Sequence, residues 1–262
     1  MDATADRVVA VVGLGAVLPD ARNVQEFWEN VTRGRYSISD VPADRWDPAL
    51  FFDPDPKAPD KTYSRIGGWV RACEWDPVKW KLPIPPRVSD AMDWTQKWAI
   101  GCTLQALTDF GYPTRPLDAE RTAVILGNAM GGEQHNRTTL RTAFPEYARE
   151  LETVPAFASL PAGVREAIRR DWQAAIGRML PPITEDSMPG ELSNCIAGRL
   201  ANLFNFRGPN FVADAACASA MAAMSAAVEG LIEKRFDAVV TGGVDRNMGA
   251  STFIKFCKIG AL

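Results

Sequence analysis

The sequence predicts a layered α/β fold, and three observations carry that prediction. Short β-branched apolar runs at residues 8–12, 122–126 and 236–241 each lead into glycine, as strands buried on both faces do. The alanine-rich stretch 218–234 has no helix breaker before Gly230 and links an extended segment at 210–214 to the run at 236–241. A strand, helix and strand in that order imply parallel pairing with a crossover between.

Taken in order, the run 8–12 enters Gly13-Leu14-Gly15. A dinucleotide fingerprint would need glycine where Leu18 stands, and Pro19 blocks the tight strand-to-helix turn, so a core strand leaving through a loop is the better reading. Asn23 caps a short helix that carries Phe27, Trp28 and Val31 toward the core and stops at Gly34. Prolines recur from Pro42 to Pro86 and forbid long helices, which leaves an excursion anchored by Trp46 and Trp75. Within it Asp53-Pro54-Asp55-Pro56 reads as a solvated turn, because a calcium loop needs a spaced glutamate. Asp93 opens a helix through Phe110, with Trp94, Trp98, Cys102 and Leu104 on its apolar side and Gly111 as its stop before Pro113.

After 122–126 the chain turns through Gly127-Asn128-Ala129-Met130-Gly131-Gly132, which lacks the Lys and Ser/Thr of a phosphate loop. Val164, Ile168, Trp172, Ile176 and Met179 recur at helical spacing against Arg165, Arg169, Arg170 and Arg178, predicting an amphipathic surface helix between Pro161 and Pro181. Residues 188–204 predict a further helix, with Ala197, Gly198 and Ala201 permitting close packing. The helix 218–234 carries Met221, Met224, Val228 and Leu231 and is apolar nearly all round, so it is expected between layers. The final run, 253–262, reads as a core strand.

Composition narrows the function classes. The chain of 262 residues is 47% hydrophobic and 23% charged, which suits a soluble globular domain and argues against disorder. Its net charge of -3, without a basic block, gives no nucleic-acid surface. No apolar run reaches membrane-spanning length, and the acidic N-terminus, Asp2 and Asp6 included, lacks the sections of a signal peptide. Cys73, Cys102, Cys195, Cys217 and Cys257 are scattered and odd in number, with no C-x-x-C pair. They read as free thiols in a reducing cytoplasm, and no metal or cofactor site is expected.

Cys217 is the candidate nucleophile. It stands between the extended segment 210–214 and the helix that follows, a junction expected to place it on the first helical turn. Free N–H groups and the positive end of the helix dipole there favour thiolate and can receive the oxygen of a tetrahedral acyl intermediate. The alternative for an intracellular cysteine is a small buried core residue.

The segment Asp214-Ala-Ala-Cys217-Ala-Ser219-Ala resembles the active-site segment of β-ketoacyl synthases, the condensing enzymes of fatty acid and polyketide assembly. The similarity extends to Val8 through Gly15 with Pro19, to Phe27-Trp28, to Gly198-Arg199-Leu200-Ala201-Asn202 with Gly208-Pro209, and to Thr241-Gly242-Gly243-Val244. It therefore covers essentially the whole chain. Asp60-Lys61-Thr62-Tyr63-Ser64-Arg65-Ile66-Gly67-Gly68, Leu82-Pro83-Ile84-Pro85-Pro86 and Ser187-Met188-Pro189-Gly190-Glu191 are similar to ketosynthase domains of iterative polyketide and polyunsaturated fatty acid synthases.

The resemblance implies a thiolase-like αβαβα fold, of which residues 1–262 are the N-terminal portion, with a helical and Pro-rich excursion. It implies that Cys217 takes an acyl chain as a thioester from the phosphopantetheine of an acyl carrier protein, for decarboxylative Claisen condensation with a malonyl unit. No other cofactor is implied. The partners implied are the carrier protein, the other synthase domains, and a second copy meeting it through the strand at Phe211, Val212 and Ala213. The family's two catalytic histidines belong to the C-terminal half, which is absent from these residues. The sole histidine, His135, falls in no family motif and reads as a surface residue. Condensation is therefore not expected of this portion alone, which is also expected to expose an apolar face. The rival reading is a non-catalytic dimerisation or chain-length partner module. A cysteine hydrolase or another acyl-CoA enzyme of the same fold is a third.

Overall fold

The computed structural model describes residues 8–71 and 73–262; the acidic stretch 1–6 lies outside them. The helices are α1 (Val24–Thr32), α2 (Pro48–Phe51), α3 (Pro86–Ala91), α4 (Trp94–Phe110), α5 (Glu133–Glu150), α6 (Pro155–Ala158), α7 (Ala162–Met179), α8 (Ser187–Glu191), α9 (Asn194–Phe204), α10 (Ser219–Ile232) and α11 (Ala250–Lys258). The strands are β1 (Ile38–Asp40), β2 (Ile66–Gly68), β3 (Thr122–Gly127), β4 (Asn210–Ala213) and β5 (Ala238–Gly243).

Strand β3 organises the layers. It is buried at every position and pairs in parallel with β4 on one side and β5 on the other. Because side chains alternate along a strand, its two faces feed two cores. Val124 and Leu126 join Ile100 and Leu107 of α4 and Ile196 and Leu200 of α9. Ala123 and Ile125 meet Ala223 and Ala227 of α10, closed by Phe236. The result is helix, sheet and helix in layers, with each buried aliphatic side chain contributing about 1.5–3 kcal/mol. A third cluster joins the Pro-rich excursion to α11: Trp69 stacks on Phe253 at 5.7 Å, and Trp46 meets the same ring at 5.3 Å.

Several expectations hold. The Asn23 side chain accepts the Glu26 N–H at 2.8 Å, Asp93 caps α4, and Gly111 ends it with φ +93. Asp53 and Asp55 each accept a backbone N–H two residues on, in exposed turns. Others are corrected. The run 8–12 is not a ladder strand: the sheet is β4, β3 and β5 in that order, and among the described residues the run pairs with none of them. Instead it leads into a segment lying along α4. There the Leu14 N–H donates to Asp109 Oδ2 (2.9 Å) and the Ala16 N–H to Gln105 Oε1 (3.1 Å). The same insertion of β3 means that β4 and β5 are parallel to each other but not neighbours.

Phe27, Trp28 and Val31 of α1 are exposed rather than packed inward. In α4 the buried positions are Thr95, Gln96, Ala99, Ile100, Thr103 and Leu107. That face is more polar than the expected one, because Gln96 and Thr103 find acceptors and donors in Pro189, Arg199 and Ala99. The single helix expected over 188–204 divides into α8 and α9 at the extended Leu192. Helix α10 buries only Ser219, Ala223, Ala227 and Gly230; Met221 and Met224 are exposed, since nothing described packs on that side. Residues 253–262 contribute to helix α11, not a strand. Phe253 and Cys257 are buried one turn apart, a helical spacing hidden inside the apolar run. Helix α5, with Pro145 inside it, has no counterpart in the sequence reading.

Candidate active site

All three parallel strands end at the same edge of the sheet, where Gly127 stands opposite both Ala213 and Gly243. Cys217 lies on the turn that follows β4, two residues ahead of Ser219, the first residue of α10. The sequence predicts Cys217 on the first helical turn; it stands instead just ahead of that turn, because the helix starts only at Ser219. Side chains on either side of it hold this turn. Asp214 Oδ1 accepts the Ala216 N–H at 2.9 Å. Ser219 Oγ accepts the Ala215 N–H at 2.9 Å and donates to the Ala216 carbonyl at 2.6 Å. These bonds over-determine an unfavourable backbone: Ala216 has φ +50, a left-handed conformation that costs an alanine about 1–2 kcal/mol. Strain held by its surroundings beside an exposed thiol is the pattern of a preformed site.

Close packing beneath the turn depends on two glycines. A Cβ on Gly127 would lie 2.3 Å from the Ser219 backbone, and one on Gly243 would lie 2.6 Å from Ala220 Cβ. Only bare backbone at the ends of β3 and β5 lets α10 start where it does. Asn128 then locks the three strand ends together. Its N–H donates to the Ala213 carbonyl (3.1 Å), its Nδ2 to the Val244 carbonyl (2.8 Å), and its Oδ1 accepts from Ser193 Oγ (2.9 Å).

The five thiols are not equivalent. Cys217 is exposed, Cys257 is buried and Cys73, Cys102 and Cys195 are partly covered. Burial pushes the Cys102 thiol up to about 11 and raises that of Cys73 as well. Cys257 Sγ is engaged with Thr62 Oγ1 at 3.1 Å. Among the described residues the Cys217 N–H has no hydrogen-bond acceptor, so it is free to receive an oxyanion. An exposed thiol with a free amide on a strained turn can attack a carbonyl and hold the oxygen that develops.

His135 falls on the first turn of α5. Its side chain is 61% exposed, with Nδ1 3.4 Å from Glu191 Oε1, a surface position as expected. Among the described residues no hydrogen bond links it to Cys217. The groups that sequence reading missed are the supports: Asp214 and Ser219, Asn128, and Glu133 at the start of α5. The first two carried a legible signal, an Asx residue two before and a hydroxyl four after the bonded amides. Asn128 and Glu133 act across distant segments, which no local pattern announces.

The family model described as β-ketoacyl synthase, N-terminal domain, matches residues 6–262. One polyunsaturated fatty acid synthase polypeptide from a Thraustochytrium species is 30% identical over 256 residues, 97% of this chain and 9% of that protein. Polyketide synthase PksL of Bacillus subtilis is 29% identical over 94% of this chain and 5% of its own length. Among solved structures, the oxazolomycin ketosynthase domain OzmH KS7 of Streptomyces albus superimposes with a TM-score of 0.70 at 25% identity, covering 95% of this chain and 37% of that one. The ketosynthase from module 6 of the Bacillus subtilis bacillaene synthase gives a TM-score of 0.66 at 23% identity, covering 97% of this chain and 34% of that one. The fold is therefore the thiolase-like α/β fold of these domains, and this chain spans about a third of each solved relative.

Proposed function

The chain belongs to the β-ketoacyl synthase family, represented by its N-terminal domain, and on that premise we propose that Cys217 is the acyl-accepting nucleophile of a ketosynthase. The Cys217 thiolate attacks the carbonyl of an acyl thioester on the phosphopantetheine of an acyl carrier protein. The tetrahedral oxyanion forms against the free Cys217 N–H. It collapses with expulsion of the pantetheine thiolate, which takes up a proton, and leaves the acyl group as a thioester on Cys217. In the condensation that follows, a malonyl thioester loses carbon dioxide and its enolate carbon attacks the acyl-Cys217 carbonyl. A β-ketoacyl thioester forms and the Cys217 thiolate leaves.

The observation that carries this reading is the exposed thiol on the strained turn at Ala216, its amide without an acceptor among the described residues. Residues 1–262 are read as the N-terminal portion of the domain. The two histidines that the family resemblance implies for decarboxylation are read as lying outside residues 1–262. The setting is read as a reducing cytoplasm, in keeping with five free cysteines; among the described residues no helix is long and apolar enough to cross a membrane.

A homodimer is also proposed through β4. Its outer edge is unpaired in the sheet and carries Phe211, 42% exposed, with Asn210 and Asp214 flanking it. An edge strand of this kind invites pairing with a second copy. The same edge would serve a non-catalytic partner module, for which the thiol at Cys217 has no use. Incubation with an acyl-pantetheine thioester separates the readings by intact mass: a single acyl adduct that Cys217→Ala abolishes supports acyl transfer, and a folded wild type without adduct overturns it.

A further inference from the structure

The loops leaving β3 and β5 are joined by a half-buried carboxylate. Glu133 opens α5, immediately after the turn 128–132, and its side chain is 21% exposed. Its Oε1 accepts from Arg45 Nη2 at 2.6 Å and from the Met248 N–H at 3.0 Å, and its Oε2 accepts from Arg246 Nη1. Arg246 itself lies over the rings of Trp94 and Trp98 of α4, at 5.8 and 5.7 Å. Partial burial holds its guanidinium below the ordinary value. Beside it the Asp93 carboxylate caps α4 through the Thr95 N–H (2.7 Å) and α5 through the Gln134 N–H (2.8 Å). Glu133 thus ties the excursion at Arg45, the start of α5 and the loop 244–248 into one unit.

This unit sits at the edge of the sheet where Cys217 stands. One of its loops begins at Gly127 and Asn128, which contact Ser219 and Ala213; the other begins at Gly243, which packs on Ala220. Loss of the carboxylate charge weakens the tie from the start of α5 to Arg246 and Met248 and leaves Arg45 and Arg246 without their shared counter-charge, so the loop leaving β5 is held less firmly to the loop leaving β3. We propose that Glu133 is a positioning residue for acyl transfer, fixing the paired loops on which the Cys217 turn rests. This rests on the acyl-transfer reading of Cys217.

The test compares two reactions of the same thiol. Alkylation by iodoacetamide needs only an accessible thiolate, whereas acylation by a pantetheine thioester also needs the oxygen to be received in the right place. Glu133→Gln is expected to slow acylation at saturating thioester about tenfold or more, to leave its half-saturating concentration within about twofold, and to leave the alkylation rate of Cys217 unchanged. Arg45→Met, which keeps the Glu133 to Arg246 pair, is expected to slow acylation about threefold and decides the matter if Glu133→Gln does not fold. Wild-type and variant acylation at equal rates, or acylation and alkylation falling together, overturns the positioning role while leaving Cys217 as nucleophile. A wild type that is alkylated but never acylated overturns the underlying reading instead.

Discussion

Strand β3 and the run 8–12 are both short, β-branched and followed by glycine, yet β3 is buried along its whole length whereas Val8, Val11 and Val12 are 81%, 78% and 55% exposed. The difference lies in their neighbours. Strand β3 has a strand on each edge and a helix layer on each face, so every apolar side chain meets another. The run 8–12 pairs with no strand among the described residues and is held only by the segment after it, whose backbone meets α4. Gly13 and Gly15 lie so close to the carbonyls of Ala106 and Cys102 that a Cβ would come within 2.2 and 1.9 Å. An apolar run states a tendency toward strand; pairing and burial are decided by what stands beside it.

The sharpest way to break this comparison is to make like truncations in the two runs. Ile125→Ala, at 1% exposure, is expected to cost about 3 kcal/mol through lost contacts and a residual cavity. Val11→Ala is expected to cost under about 0.5 kcal/mol. Urea denaturation with unchanged m-values measures both, and equal losses would mean that the run 8–12 is buried in solution.

Glycine substitutions sharpen the point. Gly15→Ala and Gly127→Ala each push a methyl into fixed backbone and are expected to cost about 1–3 kcal/mol. Only Gly127→Ala should also slow acylation of Cys217, because only it displaces Ser219. Thermal unfolding alongside adduct formation distinguishes the two. An effect of Gly15→Ala on acylation as large as that of Gly127→Ala would contradict the separation of the two regions.

The smallest effect concerns pH. Cys102 contacts the segment after the run 8–12 and its thiol is raised to about 11 by burial. The folded state therefore holds this proton more tightly than the unfolded chain, and the stabilisation is intact below the ordinary thiol range and fades as pH rises toward 11. Unfolding free energy is expected to fall less steeply over that window in Cys102→Ala than in the wild type. Identical slopes would show that Cys102 is not covered.

Much of the fold was legible because its signals are local. Asn23, Asp93, Gly111 and the runs behind β3, β4 and β5 mark their elements by caps, breakers and side-chain period. Misreadings fell where partners decide. Helix α11 hides Phe253 and Cys257 inside a continuous apolar run, and α5 carries Pro145, which reads as a breaker. At the site, the sequence marks Cys217 as the candidate by its junction and its resemblance, but not its place ahead of the helix, since that depends on Ser219 and Asp214 tying the turn. Glu133 and Asn128 gave no warning, because their partners Arg246 and Val244 lie more than a hundred residues away in the chain.

Of the five free thiols, one is assigned to acyl transfer. Brief exposure of the native chain to an acyl-pantetheine thioester, followed by quenching, digestion and peptide mass mapping, tests that assignment directly. The predicted result is a single acylated peptide containing Cys217, with Cys73, Cys102, Cys195 and Cys257 unmodified. Acyl groups spread over several cysteines, or found at another cysteine with Cys217 free, would contradict it.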